Sequence, residues 1–236
     1  DRGESDVAMF EIGPVFFGDT PDQQRTAVAG IRHGAMAPRE WHGSRRMVDV
    51  FDIKADVEAG LSALGVRRDS LQIEEGGPDY FHPGRCGRLL QGRKLLAQFG
   101  EIHPSVVSHF GLRSALVGFE FFLEDVPLPK SRGPARSYLK MSPFQPVSRD
   151  FAFVLDVELP ASQLLRTIKS AAGTLLSDVQ LFDVYEGENI ATGKKSIAVT
   201  ITLIPEKATL SDVEIESISN AVITAAEKNC GAVLRA

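Results

Sequence analysis

Apolar residues recur at every second position over residues 196–203. Ile197, Val199, Ile201 and Leu203 fall on one side, and Ser196, Ala198, Thr200 and Thr202 on the other. That period of two predicts a strand with one buried face. The same rule applied to the preceding run, LFDVYEG (181–187), turns Phe182 and Val184 toward the core and Asp183 and Tyr185 outward. Residues 151–157 alternate again, with Phe151, Phe153 and Leu155 on one face and Ala152, Val154 and Asp156 on the other.

Two helical patterns interrupt these strands. Pro160 opens the first, Leu164, Leu165 and Ile168 recur at helical spacing, and Gly173 ends it. Ser211 and Glu214 form a capping-box pair before the second, whose apolar stripe is Val213, Ile215, Ile218, Val222, Ala225 and Ala226, and Gly231 stops it. Strands over 178–185 and 195–204, and a short last one over 232–235, complete the order β-α-β-β-α-β. This is the ferredoxin-like split βαβ unit, with both helices on one sheet face and the other face open.

The first half predicts an antiparallel pair over 9–17 and 26–32, then a helix over 48–64 with Phe51, Ala55, Val57, Leu61 and Leu64 buried. Strands follow over 70–75, 88–90 and 94–101, a short helix over 104–110 and a strand over 116–123. The fold class is therefore α+β on an antiparallel sheet. Five prolines and several charges without an apolar period mark a boundary near 126–147. The division is 1–125, a linker over 126–142, and 143–236.

Composition narrows the function. The chain of 236 residues has typical globular content, no apolar run long enough for a bilayer and no signal-peptide pattern, so a cytoplasmic protein without a membrane partner is expected. A start at Asp1, soon followed by a strand, suggests a piece of a longer protein. Cys86 and Cys230 lack a CxxC partner and read as reduced thiols. The net charge is −5, and residues 143–236 hold 8 Lys and Arg against 12 Asp and Glu. Any nucleic acid bound there is held by specific contacts more than by long-range attraction.

Several segments invite chemistry. FHPGR (81–85) offers His82 and Arg85, yet no carboxylate is placed to orient the imidazole, and a structured turn between strands is the simpler reading. The other histidines, His33, His42, His103 and His109, form no metal-ligand spacing; His42 packs beside Trp41 and His103 starts a helix. GRCGRLLQG (84–92) is a hairpin arm rather than a phosphate loop. Asp49, Asp52, Asp56 and Glu58 read as a solvated acidic helix face rather than a metal site. Lys194 and Lys195 suit either a phosphate contact or solvated loop charge. Asp183 and Tyr185, beside a strand offering the Ser196 hydroxyl, suit an unstacked base: a ring to stack on and an acceptor to read its edge.

FEIGPVFFGD (10–19), VDVFDIKADVEAGL (48–61), FHPGR (81–85), FGEIHPSV (99–106), SRDFAFVL (148–155), LFDVYEG (181–187), GKKSIAVTITL (193–203) and TLSDVEI (209–215) occur in one order. Together they resemble the C-terminal part of the bacterial phenylalanyl-tRNA synthetase β subunit, over nearly the whole chain. The resemblance implies a class II synthetase-like, catalytically inactive domain up to about residue 140 that packs on the catalytic α subunit, followed by a ferredoxin-fold anticodon-binding domain. It implies a cytoplasmic (αβ)₂ ligase that joins phenylalanine to its tRNA with ATP and magnesium; no cofactor is expected in this chain. FEIGPVFF lacks the arginine that an active class II site uses on the α-phosphate.

Carried over by position, Tyr185 stacks on the first anticodon base, Asp183 accepts its hydrogen bonds, Ser196 adds a hydroxyl and Ala152 leaves room. Arg149, just before the first strand of that domain, holds backbone phosphate. Two alternatives remain open: an active adenylate-forming ligase in the first half, or a ferredoxin-like small-molecule regulatory module in the second.

Overall fold

The computed structural model describes residues 4–43, 45–112, 114–128, 138, 141–206 and 208–235. The chain divides into two units, Asp1–Pro134 and Ala135–Ala236. Most of the linker expected over 126–142 lies outside the described residues.

The first unit is a six-stranded antiparallel sheet. In chain order its elements are β1 (Val7–Phe16), β2 (Gln24–His33), α1 (Val50–Ala63), β3 (Gln72–Glu75), β4 (Phe81–Gln91), β5 (Lys94–Ile102), α2 (Pro104–His109) and β6 (Leu116–Phe122). The strands lie in the order β1-β2-β6-β5-β4-β3, which leaves β1 and β3 at the edges. Ile53, Val57 and Leu61, one stripe at four-residue spacing, pack on Val28, Leu89, Ala97, Phe99, Val117 and Phe121.

The buried stripe of α1 differs from the expected one. Phe51 is 73% exposed, Leu64 is also exposed, and Ala55 lies in solvent. Charge explains the rotation. Asp49 caps α1 by accepting from the Phe51 and Asp52 amides, and the Asp52 carboxylate returns a bond from the Asp49 amide at 2.9 Å. Asp52 is buried and takes a forked pair of bonds from Arg46 at 2.6 and 2.7 Å. Asp56 binds Arg32 of β2 at 2.9 Å. Glu58 is buried between Lys54 at 2.6 Å and Arg68 at 2.8 Å. The acidic face is therefore only partly solvated: Asp49 stays exposed, Asp52 and Glu58 are buried, and each of the four carboxylates caps the helix or meets a cation, because a buried charge without a partner is costly. The Arg46 guanidinium holds the Asp52 carboxyl below its ordinary range.

The HPG segment is not a turn between strands. It is an irregular stretch inside β4, where the pairing with β5 shifts between Phe81 and Cys86. His82 Nδ1 accepts from the Gly84 amide at 3.1 Å, and Arg85 pairs with Glu101 at 2.7 Å, so both side chains serve the local backbone and sheet. His103 caps α2, accepting from the Ser105 amide. Trp41 and His42 lie beside each other with ring centroids 5.0 Å apart and planes tilted by 58°, but Trp41 stands in solvent.

The second unit contains β7 (Val147–Asp156), α3 (Ala161–Ala172), β8 (Leu176–Tyr185), β9 (Lys194–Leu203), α4 (Asp212–Cys230) and β10 (Val233–Leu234). Its strand order, β10-β7-β9-β8, is that of the split βαβ unit. Phe151, Phe153 and Leu155 of β7 and Ile197, Val199, Ile201 and Leu203 of β9 bury against Leu164 and Ile168 of α3 and Val222 and Ala226 of α4. Ser211 and Glu214 form the capping box, and Gly231 closes α4 in the left-handed conformation that glycine adopts without strain. Val213, assigned to the apolar stripe, instead faces solvent in the first turn.

In the first unit Glu120 stands on the sheet face away from α1, opposite Ala29 and Gln98. Burial pushes its carboxyl above the ordinary glutamate range. Burial, aided by Glu120 and Asp79, likewise pushes the Tyr80 phenol up to about 12. A raised carboxyl favours the protonated folded form, so its contribution to stability is complete below the ordinary glutamate range and is lost as pH rises through the raised value. Glu120→Gln should therefore raise the melting temperature near pH 7 and leave it nearly unchanged near pH 3.5, as paired thermal melts would show.

Candidate nucleic-acid interface

Because α3 and α4 both cover one face of the second sheet, no described element of that unit covers the other face. Register fixes what it presents. Tyr185 lies opposite Ser196, and Ser196 opposite Val154; Asp183 lies opposite Ala198, and Ala198 opposite Ala152; Gln180 lies opposite Thr200, and Thr200 opposite Asp150. The middle row is low, since Ala152 and Ala198 carry only methyl groups. It ends at the exposed Asp183 carboxylate, with which no described side chain pairs. Tyr185, 38% exposed, borders the row on one side. On the other side the Thr200 hydroxyl donates to Asp150 at 2.6 Å. Neighbouring strands stand about 4.8 Å apart, so the row across three strands is about 10 Å long, room for one flat heterocycle.

The orientation of Tyr185 is set by the loop after β8. Its hydroxyl donates to the Glu188 carbonyl at 3.1 Å. Gly187 passes so close that a Cβ there would lie 2.8 Å from the Tyr185 hydroxyl oxygen. Any larger residue at this approach would push the Tyr185 ring aside.

Of the five residues singled out in the sequence, Asp183, Tyr185, Ser196 and Ala152 share this face. Ser196, however, is only 4% exposed, beneath its ladder neighbours Tyr185 and Val154. A base reaches that hydroxyl only if a neighbouring side chain shifts. Arg149 lies inside β7 rather than before it, paired with Ile201, and so belongs to the opposite face. The two lysines are both engaged: Lys194 pairs with Asp156 at 2.7 Å, and Lys195 donates to the Val157 carbonyl at 2.7 Å.

The assignment of Phe182 and Val184 to the core requires correction. The β8–β9 register shifts between Leu181 and Asp183, so Phe182 is an extra residue without a place in the alternation. Val179 and Leu181 pack on the core instead, while Phe182 is 53% exposed and Val184 also reaches solvent. A bulge is a two-against-one mismatch that alternation in a single strand cannot reveal. Thr200 with Asp150, Gly187 and Phe182 were the features missed; the outward Thr200 and the loop glycine were visible, but their roles needed the register.

In the first unit Arg25 is bound to Asp125, Arg32 to Asp56, Arg85 to Glu101 and Arg88 to Glu74. Among the described residues no cluster of His, Cys, Asp or Glu is arranged to hold a metal ion, and no helix is long and apolar enough to cross a membrane.

The second unit has the architecture of a nucleic-acid-reading class, and residues 142–235 match the family model of the ferredoxin-fold anticodon binding domain. Residues 1–123 match that of the phenylalanyl tRNA synthetase beta chain CLM domain. The chain belongs to the phenylalanyl-tRNA synthetase beta chain family. It is 44% identical to the phenylalanine–tRNA ligase beta subunit of Rhodospirillum rubrum over 99% of its length, covering 29% of that protein. It is 44% identical to the beta subunit of Paramagnetospirillum magneticum over its whole length, covering 30% of that one. The chain thus spans under a third of the relatives it matches. A solved pyrrolysyl tRNA synthetase from Desulfitobacterium hafniense aligns at 16% identity and a TM-score of 0.39, over 53% of this chain and 42% of that one, too distant to bear on function.

Replacing Gly187 with alanine should displace the Tyr185 ring while leaving the helices in place. Carbon-labelled tyrosine spectra should show shifted Tyr185 ring signals, with the amide signals of α3 and α4 unchanged.

Proposed function

We propose that this chain is the later part of a β subunit in a cytoplasmic (αβ)₂ phenylalanine–tRNA ligase, and that its second unit reads the first base of the tRNA(Phe) anticodon. The observation that carries this reading is the trough on the free sheet face: an alanine floor, a tyrosine ring held by its own loop, and an unpaired carboxylate at the end of the row. Phenylalanine anticodons begin with guanine. Guanine offers N1–H and N2–H₂ as adjacent donors, which one carboxylate accepts together; adenine and the pyrimidines lack that pair on the same edge. Asp183 supplies the acceptors and Tyr185 the stacking surface, while Ala152 and Ala198 let the ring lie close. Ser196 adds its hydroxyl only with a local shift, and Arg149 reaches backbone phosphate only if the RNA wraps past the sheet edge.

The first unit is the part that packs on the catalytic α subunit. Phe10, Ile12 and Phe16 of the edge strand β1 and Phe51 of α1 are all exposed, on the sheet side where α1 lies. An edge strand carrying such an apolar surface marks an interface with another chain. ATP and magnesium then act on the α subunit, in keeping with the paired arginines here. ATP–pyrophosphate exchange by this chain alone, with phenylalanine, should be absent; measurable exchange would favour an active ligase instead.

Stacking on an aromatic side chain contributes about 1–3 kcal/mol per base. Tyr185→Ala should therefore raise the tRNA Kd roughly tenfold in the assembled enzyme. Asp183→Asn places a donor against guanine's donors, so it should weaken binding and reduce the preference for guanine over adenine at the first position. Filter binding with tRNAs altered at that base tests both, and wild-type behaviour in folded variants would reject the reading.

A further inference from the structure

The bulge in β8 does more than interrupt the alternation. The pairing passes from Leu181 opposite Val199 to Asp183 opposite Ala198, so Phe182 is the inserted residue and has no partner of its own on β9. Leu181, before the bulge, points to the core with Val199, and Asp183, after it, lies on the free face. Phe182 makes no core contact, and its ring is 53% exposed. Tyr185 stands two rungs from Asp183, roughly 6–7 Å along the strand, and Phe182 adjoins Asp183 on the other side. Phe182 and Tyr185 thus bracket Asp183 along the strand, three residues or about 10 Å apart.

We infer that Phe182 is a second stacking platform, which holds the nucleotide next to the base read by Asp183 and Tyr185. The inference rests on the anticodon reading and extends it from one base to two. It also explains how an acidic unit with both neighbouring lysines engaged grips RNA: a face of each base has an aromatic partner, and such contacts need no cation. The contact is tolerant of base identity, since every base offers a flat face. Phe182 therefore adds affinity and orients the strand, while discrimination stays with Asp183.

The test uses the 236-residue chain and a synthetic RNA hairpin of anticodon stem-loop sequence, with 2-aminopurine replacing the adenine at the second anticodon position. Stacking quenches this fluorophore. Binding of the wild-type chain should quench it. Phe182→Ala should abolish the quench and raise the Kd about fivefold or more, whereas Phe182→Tyr should retain both. Phe182→Leu keeps apolar bulk without a ring, and should lose the quench as the alanine variant does; it also serves if the alanine variant melts early. Tyr185→Ala in parallel separates the two ideas. If Tyr185→Ala weakens binding while Phe182→Ala leaves affinity and quench intact, the second platform is wrong and the first base site stands. If neither variant changes binding, or the wild-type chain does not bind the hairpin at millimolar concentration, both fall.

Discussion

Both helices of the second unit lie on one side of its sheet, and the site depends on that asymmetry. Phe153, Leu155, Ile197, Val199, Ile201 and Leu203 are wholly buried beneath α3 and α4. Side chains alternate across a strand, so burying this set turns the residues between them to the other side. Ala152, Ala198 and Thr200 are where they are because their neighbours are apolar. The register of β9 between β7 and β8 then aligns them into rows, and the rows make a trough. A slip by one residue would bury the alanines and expose the isoleucines, so the packing that stabilises the unit also specifies its recognition surface.

Much of this was legible in the sequence, and the exceptions share a cause. The β-α-β-β-α-β order, the capping box at Ser211 and the glycine stop at Gly231 are local signals, and each agrees with its neighbours. Where the reading of 181–185 departed from the structure, the departure came from an extra residue whose effect exists only relative to the partner strand. Ser196 shows the complementary difficulty. Its parity was right, but its exposure depends on the ring of Tyr185 across the ladder, which no single strand encodes. Arg149 was misplaced because β7 begins at Val147, earlier than its apolar alternation suggests.

In the first unit the same contrast appears on a helix. The spacing of Ile53, Val57 and Leu61 defines one stripe, and Phe51, Ala55 and Leu64 tempt the eye toward another beside it. Apolar content alone does not choose between them. The carboxylates do, and their cations come from a loop, a strand and the turn after the helix, none of which a helical wheel includes. The arginines recruited for this purpose are each held by a carboxylate, so their charge serves the seating of the helix.

A helix seated on a sheet by hydrophobic contact alone retains freedom to roll about its long axis. α1 has little of it. Arg46, Arg32 and Arg68 meet Asp52, Asp56 and Glu58 from three directions, and they act as pegs that fix its azimuth. Phe51 is consequently held out in water in a set direction, on the side of the sheet where the exposed apolar residues of β1 also lie. A surface presented this way is preorganised: a subunit that docks against it meets a ridge already aligned, and little ordering entropy remains to be lost on assembly.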